Sequence, residues 1–516
     1  MIRIGAVIAP QKRIIGCSEG IRLFSGHLLA KRVSVMSAPT QGSEEEDFGD
    51  IIKRSGSFHE RPNYGVNDPL GPISGFTNYS AKEMRVISSW LKELGEVFCR
   101  YGFTGLAPRP IEFTMNLVRK GGLTKQIYGL SRVQDGSLTK YGLPFDHTVP
   151  LAIFLAQHVN ETAFPFMRYV IGPVFRGEHA GRGRYRSFIQ ADNDYIDREL
   201  TPTADATTLA TTVEALKKLG ACNFKVLVNH IVIAKAILAD AGVPKEHFSD
   251  ALRAIDKLKG DNRAEVVQEL AANIPTLAKK EAESLLDRMN YRGSLADFRF
   301  EKDLGSEAIQ AWNDLKEMES IATRMGLAKD TVIFALNLTR GLDYYTGVVF
   351  ETFIEGKEKY GSIASGGRYD KLVDGYSNQE TKLQGVGISI GVTRFFDIVK
   401  DLGMIDFSKQ TEAQVFVGYR IKEEGCFEKA IDVATSLRKK GIFVELYASN
   451  KVKVGKQLDM VNRKGIPFAV LVMNKDEIIV KNMRTSEQSA FQNQDEVIAY
   501  MQESVSTNLL PLPFPK

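Results

Sequence analysis

The spacing of apolar residues predicts an alternation of helices and strands along the chain. Residues 82–101 carry apolar side chains at helical spacing, and Gly102 follows where a glycine often ends a helix. Residues 168–175 and 187–196 are typical of strands and have a polar loop between them. We therefore predict a helix over 82–101, followed by an antiparallel hairpin with a long, arginine-rich tip.

The middle of the chain has a different pattern. Residues 230–330 are rich in Ala, Leu, Lys and Glu at helical spacing, which predicts a mainly helical insertion. Strand-like segments return at 331–338 and 347–354, and Gly-rich stretches follow at 361–367 and 385–391.

From residue 411 onward strands alternate with helices, which is typical of a small α/β domain. The predicted strands are 415–419, 443–447, 468–473 and 477–480, and the predicted helices are 424–440 and 455–464.

The N-terminal segment differs from the rest. Residues 1–35 hold six basic residues and one acid, Glu19, which is typical of an organelle-targeting peptide and equally of an unstructured leader. The acidic run at 44–47 predicts a solvated linker, and initiation at Met36 would remove the basic leader. We expect residues 1–59 to be disordered and the protein to be cytoplasmic, with a mitochondrial form only if residues 1–35 are used for targeting.

Composition narrows the possible functions. A formal net charge of +4 with 25% charged residues excludes a uniformly basic polyanion binder. No apolar run approaches the roughly 18 residues of a membrane helix. The four cysteines, at positions 17, 99, 222 and 426, lie far apart, so we expect no structural zinc site.

The hairpin tip carries the strongest chemical signal. Residues 176–186 contain four arginines, whose planar guanidinium groups suit phosphate oxygens. A mobile basic surface loop would have the same composition, so these residues alone leave both interpretations open. In the next strand Gln190, Asp192 and Asp194 alternate and therefore share one face, which indicates a site for a small polar molecule.

Four segments together resemble the class II aminoacyl-tRNA synthetases, in the form typical of the histidyl-tRNA synthetase family. Phe175–Phe188 is similar to motif 2, and Gly385–Arg394 is similar to motif 3. Arg340–Gly347 and Ser365–Asp370 resemble the two histidine-binding motifs. The resemblance covers roughly residues 60–505.

The resemblance implies a fold, a domain order and an activity. We expect an α/β (α+β) chain with an antiparallel-sheet catalytic domain over 60–229 and 331–405, the helical insertion over 230–330, and an α/β anticodon-binding domain over 411–516. It implies a histidine–tRNA ligase that uses ATP and Mg²⁺ to convert L-histidine to histidyl-adenylate and then transfers it to the 3′ end of tRNA. A homodimer is expected.

The resemblance also assigns the nucleotide site. Arg176 would hold the α-phosphate and Arg340 would stabilise developing charge, so both are expected to be catalytic, although Arg340 could instead form an ion pair with Asp343. Phe188 and Arg394 match positions that enclose adenine. The positions expected to bind ATP are Arg176, Glu178, Arg184, Phe188 and Arg394.

Histidine recognition requires groups that suit an imidazole ring and an ammonium group. Asp194 and Tyr345 match the family positions for the ring, and the loop around Asp146 matches those for the ammonium. His147 is interpreted as part of that loop, not as a catalyst. The positions expected at the histidine site are Asp146, His147, Thr148, Gln190, Asp194, Tyr344, Tyr345 and Tyr369.

A basic cluster at a helix start in the C-terminal domain could contact tRNA, although a solvated helix end has the same pattern. Its members are Lys451, Lys453, Lys456 and Gln457. Two positions depart from the family pattern: Pro144 stands where an arginine is usual, and Arg109 stands where motif 1 usually has a proline. The local geometry of the expected dimer interface therefore stays open.

Three alternatives remain. They are a non-catalytic relative such as the regulatory subunit of ATP phosphoribosyltransferase, a synthetase for another amino acid, and a nucleic-acid-binding module. The motif at 340–345 and the C-terminal domain favour the histidyl enzyme. The glycines at 385–391 are a weak match to a dinucleotide fingerprint, because no parallel β-α-β unit surrounds them.

Overall fold

The structure is a computed structural model. It describes residues 70–118, 126–131, 140–181, 183–258, 262–300, 302–339, 345–371, 373–376 and 382–507. The leader and linker predicted at 1–59 lie outside these ranges. The helices and strands belong to the compact unit that begins at Pro72.

The helices are numbered in chain order. They are α1 (Ala81–Arg100), α2 (Thr114–Val118), α3 (Thr148–His158), α4 (Pro202–Lys218), α5 (Ile231–Asp240), α6 (Phe248–Asp256), α7 (Arg263–Asn273), α8 (Lys279–Arg288), α9 (Ser306–Arg324), α10 (Val392–Asp401), α11 (Cys426–Lys439), α12 (Val454–Lys464) and α13 (Gln494–Thr507).

The strands are numbered in the same way. They are β1 (Thr104–Gly105), β2 (Glu112–Phe113), β3 (Gly129–Leu130), β4 (Tyr141–Gly142), β5 (Phe166–Phe175), β6 (Ser187–Asp197), β7 (Phe224–His230), β8 (Arg292–Gly293), β9 (Val332–Ala335), β10 (Val348–Ile354), β11 (Ala364–Arg368), β12 (Gln384–Gly391), β13 (Val415–Tyr419), β14 (Val444–Leu446), β15 (Phe468–Asn474), β16 (Glu477–Asn482) and β17 (Gln488–Phe491).

A large mixed sheet organises the first part of the chain. Its strand order is β1-β5-β6-β12-β11-β10-β7-β9-β8. From β5 across to β7 every neighbouring pair is antiparallel. The predicted hairpin is confirmed as β5 and β6, the longest pair in the sheet. A small sheet of β2, β4 and β3 lies apart from it.

The predicted helix at 82–101 is confirmed as α1. It begins with a capping box, in which the backbone N–H of Ser80 donates to Glu83 at 2.8 Å. Its apolar face is buried, with Trp90 and Leu94 fully inside the core. Gly102 has φ +86°, which closes the helix in the conformation that favours glycine.

The segment predicted as a helical insertion is indeed mostly helical, from α5 to α9, with the short strand β8 within it. Its first and last helices pack on the sheet layer: α5 contacts β7, and α9 contacts α4 and α5. The buried side chains of this segment, such as Ile233 and Leu315, are continuous with the core under the large sheet.

The C-terminal part has its own core and a five-stranded sheet of order β14-β13-β15-β16-β17. The first three strands are parallel and the last two are antiparallel, which agrees with the predicted α/β character. Strand β17 and helix α13 were not expected. Among the described residues no helix is both long and apolar enough to cross a membrane.

Candidate active site

Three central strands form the floor of the candidate site. Their register places Arg168 of β5, Asp194 of β6 and Gly387 of β12 side by side. Residues directly opposite each other on neighbouring strands project from the same face of a sheet. Alternate residues along one strand also share a face, so the side chains of Gln190, Asp192 and Asp194 all belong to this floor. A Cβ on residue 387 would lie 2.0 Å from Oδ1 of Asp194, so glycine is required there.

Above the floor lies a cavity of about 310 Å³. It brings together predicted residues that are far apart in sequence. The predicted residues that line it are Asp146, Thr148, Arg176, Glu178, Arg184, Phe188, Gln190, Asp194, Tyr345, Tyr369 and Arg394. Arg340 and Tyr344 lie outside the described residues.

One end of the cavity is acidic and phenolic. The hydroxyl of Tyr369 donates to Oδ1 of Asp194 at 2.5 Å. The carboxylate of Asp146 accepts the backbone N–H of Val149 at 3.0 Å, which holds it at the start of α3. The side-chain oxygen of Gln190 is buried and has no hydrogen-bond partner among the residues that the structure describes. Such groups suit a ligand that carries both N–H donors and a positive charge.

Arg168 is a functional candidate that the sequence analysis missed. Its side chain is 0% exposed, its Nη2 forms an ion pair with Oδ2 of Asp194 at 2.8 Å, and the same nitrogen donates to the carbonyl of His147 at 3.1 Å. It therefore fixes the orientation of Asp194 from beneath. The signal in the sequence was an arginine inside an otherwise apolar strand, because such a charge is buried only when it is paired.

His147 faces away from the cavity, which corrects its expected place among the histidine-binding residues. Its Nε2 lies 3.2 Å from the carbonyl of Gly172 on β5. Burial, together with the nearby charge of Arg168, lowers the pKa of His147 to about 4, so the ring is neutral. The interpretation of His147 as a structural member of its loop agrees with these contacts.

The opposite end of the cavity is strongly basic. Arg394 donates to the carbonyls of Gly183 at 2.9 Å and Ser362 at 2.7 Å. Its pKa is lowered by burial and then by the charges of Arg184 and Arg176, which places three guanidinium groups close together. Mutual repulsion of this kind is relieved by a polyanion, and the geometry of guanidinium groups suits phosphates.

Arg176 lies between this basic end and an aromatic wall. Its Nε donates to the carbonyl of Phe145 at 3.0 Å, and its guanidinium carbon is 5.1 Å from the ring centroid of Phe188. A flat ligand that carries phosphates could therefore meet a ring and a cation in the same region.

The arginine-rich loop is anchored at both of its ends. The carbonyl of Gly75 accepts the backbone N–H groups of Arg186 at 2.8 Å and Ser187 at 3.2 Å. Nε of Arg186 donates across the loop to the carbonyl of Glu178 at 3.1 Å. The hydroxyl of Tyr185 donates to the carboxylate of Asp397 on α10. These contacts disfavour the alternative of an unattached surface loop, and Arg182 lies outside the described residues.

The basic cluster predicted for tRNA divides in two. Lys451, Lys453 and Lys456 are exposed beside the start of α12. Gln457 is 0% exposed, and its amide is bonded to the backbone N–H and carbonyl of Tyr419. The prediction that Gln457 contacts tRNA is therefore wrong, because its polar atoms hold α12 against β13.

The two residues that depart from the family pattern, Pro144 and Arg109, each make a local contact of their own. Pro144 contributes its carbonyl, which accepts the backbone N–H of Phe175 at 2.9 Å and ties the loop to β5. Arg109 forms an ion pair with the buried Glu112 at 2.5 Å.

Comparison with known proteins gives a consistent result. Residues 75–395 match the family model described as histidyl-tRNA synthetase, and residues 414–504 match that of the anticodon binding domain. The histidine–tRNA ligase of Wolinella succinogenes is 34% identical over 414 residues, which cover 79% of this chain and 91% of that protein. That of Micrococcus luteus is 33% identical over 447 residues, which cover 81% of this chain and 94% of that protein.

Solved structures agree. The crystal structure of histidyl-tRNA synthetase from Nostoc sp. aligns with a TM-score of 0.74 at 27% identity, over 85% of this chain and 100% of that one. A Bacillus halodurans structure described as an ATP phosphoribosyltransferase regulatory subunit/histidyl-tRNA synthetase has a TM-score of 0.62 at 20% identity, over 79% and 99% of the two chains, and shares the fold alone. From the extent of the family-model match and the identity with curated relatives, we conclude that the chain belongs to the histidyl-tRNA synthetase family.

Proposed function

We propose that this chain activates L-histidine with ATP to form histidyl-adenylate and transfers the histidyl group to the 3′ end of histidine tRNA. The observation that carries the proposal is a single cavity with clustered guanidinium groups at one end and an acid–phenol pair at the other. A carboxylate attacking a phosphate brings two anions together, and arginines can offset that repulsion without a covalent enzyme intermediate.

The arginines divide the work of the first step. Arg176 holds the α-phosphate, and the bond from that phosphorus to the pyrophosphate breaks as the histidine carboxylate oxygen bonds to it. Arg184 and Arg394 bind the nucleotide, with Phe188 and Arg394 on the two faces of adenine. The catalytic role of Arg340 stays a prediction.

The acidic end selects histidine. Asp194, held by Arg168 and Tyr369, accepts an imidazole N–H, and Tyr345 satisfies the other edge of the ring. Asp146, Thr148 and Gln190 receive the ammonium group. An apolar amino acid would leave these buried groups without partners, which is a strong basis for rejection.

Mg²⁺ is proposed to enter with ATP. Among the described residues no group of three or more His, Cys, Asp or Glu side chains could hold a metal ion by itself. Glu178 lines the basic end of the cavity, and one carboxylate together with phosphate oxygens and water suits Mg²⁺. The ion supplies charge neutralisation on the phosphates.

The first experiment is amino-acid-dependent ATP–pyrophosphate exchange by the full chain. We expect exchange with histidine and Mg²⁺, and at least ~10⁴-fold lower kcat/KM with other amino acids, because the pocket is built from hydrogen-bonding groups. Better exchange with another amino acid would refute the specificity. Histidine binding without any exchange would favour the non-catalytic relative.

A homodimer is proposed from an exposed apolar patch next to motif 1. Ile111, Phe113, Met115 and Tyr141 are 42%, 44%, 73% and 44% exposed, and the rings of Phe113 and Tyr141 lie 5.4 Å apart. Exposed apolar side chains gathered in this way are typical of an interface.

We expect Phe113→Lys to shift the chain from dimer to monomer in sedimentation analysis, since it places a charge in the proposed interface. Phe443→Lys is the matched control, because Phe443 is 59% exposed in the C-terminal part. A monomeric wild-type chain, or equal dimerisation of both variants, would contradict the proposal.

The exposed lysines at 451, 453 and 456 are proposed to contact tRNA, by charge attraction to its phosphates. The cytoplasmic location and the targeting role of residues 1–35 stay predictions.

A further inference from the structure

Asp192 lies on β6 between two residues that line the cavity, but it does not line the cavity itself and has no part in the proposed contacts with ATP or histidine. It lies on β6 between Gln190 and Asp194, and its neighbours across the sheet are Val170 on β5 and Ser389 on β12. Same-face neighbours along a strand are separated by about 7 Å, and directly opposite residues by about 5 Å. Asp192 therefore lies between the side chain proposed to receive the ammonium group and the one proposed to receive the imidazole.

Asp192 is buried with incomplete compensation. It is 2% exposed, and among the described residues neither of its carboxyl oxygens has a hydrogen bond of good geometry, although Arg168 and Ser389 lie near enough to favour its ionised form. Near it, Nε and Nη1 of the fully buried Arg168 also have no hydrogen-bond partner in the described part of the chain. In folded proteins, buried donor and acceptor atoms are rarely left without hydrogen bonds. They mark a place where the protein's own groups do not complete the charge balance.

The charged groups around Asp192 come from three elements. β5 supplies the cation Arg168, β6 supplies Asp194, and the loop before α3 supplies Asp146. Within the part of the chain that the structure describes, one guanidinium thus faces three carboxyl groups. Asp194 takes the direct ion pair with Arg168 at 2.8 Å and also accepts from Tyr369. Burial raises the pKa of Asp194 as well, although Arg168 and Tyr369 act in the opposite direction. Because Asp194 takes the direct ion pair, we assign the proton to Asp192.

The energetics agree with this geometry. Burial, and the nearby carboxylates of Asp194 and Asp146, raise the pKa of Asp192 to about 8, although Arg168 and Ser389 act in the opposite direction. Near neutral pH the carboxyl group is therefore mostly protonated before histidine binds. An arriving ammonium group would supply the missing positive charge and favour the ionised form.

We propose that Asp192 is a charge-compensating residue of the histidine site, and that its carboxyl group releases a proton to solvent when the ammonium group of histidine enters the cavity. The inference rests on the proposed function, because it takes Gln190, Asp146 and Asp194 as histidine-binding groups. It deepens that function by coupling amino-acid binding to proton release.

The test is isothermal titration calorimetry of L-histidine binding in buffers of different ionisation enthalpy, which counts the protons released. We expect the wild-type chain near pH 7 to release up to about one proton more than Asp192→Asn, whose amide resembles the protonated acid in shape and charge. The extra release should vanish above about pH 9, where Asp192 is ionised before binding. Protons released by the ligand itself are common to both proteins and cancel.

Deaminohistidine, which keeps the imidazole but lacks the ammonium group, serves as the second probe. The wild-type chain should bind it without the extra proton. Equal release from the wild type and Asp192→Asn, or equal release with histidine and deaminohistidine, would overturn the inference. If Asp192→Asn fails to fold, the pH series and the two ligands on the wild-type chain still decide it.

Failure of the proposed function would look different. In that case histidine would neither bind nor support pyrophosphate exchange. Binding and exchange with no extra proton would remove only the role of Asp192.

Discussion

Replacing Arg176 with alanine should lower kcat for histidine-dependent ATP–pyrophosphate exchange by about 10²–10³-fold, which is the loss typical of removing one preorganised charge stabiliser, ~3–4 kcal/mol. Arg176 lines the cavity, is held by the carbonyl of Phe145 at 3.0 Å, and lies over the ring of Phe188. Its guanidinium is therefore oriented before any nucleotide arrives.

Arg198→Ala is the matched control for this variant. Arg198 also lies over an aromatic ring, 5.7 Å from the centroid of Phe164, but it does not line the cavity. It should keep nearly full exchange activity. Arg176→Lys should be intermediate, because lysine keeps the charge and loses the planar fork. If Arg176→Ala were as active as Arg198→Ala, the assigned contact with the α-phosphate would be wrong.

Replacing Gly75 with alanine should raise the KM for ATP about tenfold or more (~1.4 kcal/mol of lost binding) and leave the KM for histidine nearly unchanged. A Cβ at this position would lie 2.7 Å from Cγ of Arg186, and the carbonyl of Gly75 holds both Arg186 and Ser187. The overlap would push the arginine-rich loop off its anchor. The acidic end of the cavity lies opposite the basic end that the loop forms, so histidine binding there would be little affected.

Backbone strain must be separated from this overlap. Gly75 has φ +78°, and alanine is strained in that region by roughly 1–2 kcal/mol wherever it occurs. Gly242 has φ +81°, and a Cβ added there would have no neighbour within 4 Å, so Gly242→Ala carries the strain alone. Both variants should lose similar stability in denaturant unfolding, and only Gly75→Ala should lose ATP affinity. Equal KM values for ATP would show that Gly75 does not position the loop.

One of these two variants tests a role that the sequence predicted, and the other tests a role that only the structure shows. The role of Arg176 was predicted from its motif, and the structure adds how it is held. The role of Gly75 was not predicted, because its contact with Arg186 joins residues more than a hundred positions apart and leaves no local pattern in the sequence.

Local periodicity and residue chemistry were sufficient for much of the architecture. Helix α1 and the hairpin of β5 and β6 follow from the spacing of apolar residues. Strand β13 follows from a short continuous apolar run, and all of its residues are buried. The alternation of Gln190 and Asp194 likewise follows from the two-residue period of a strand. The arginine-rich tip and the polar face of β6 indicated a site for phosphates or a small polar molecule, and the imidazole site was implied only by the family resemblance.

Which polar side chains are buried, and which groups they contact, could be learned only from the tertiary structure. The sequence treats Gln457 and Lys456 alike as polar residues near a helix start, yet one is enclosed against β13 and the other is exposed. His147 lies between two cavity residues in sequence, yet it turns toward β5. These outcomes depend on which side of each element meets another, and that is a non-local property.

The pairing of strands decided the charge balance of the site. Arg168, Asp192 and Asp194 are ordinary charged residues in sequence, and nothing local shows that one cation must serve several buried carboxyl groups. The register of β5, β6 and β12 places them on one floor, away from water, where each charge depends on its neighbours. The sequence by itself determined which chemical groups the chain carries and the period of each segment. The tertiary structure decided which of them are desolvated together, because desolvation and Coulomb interaction depend on distances between strands, not on spacing along one of them.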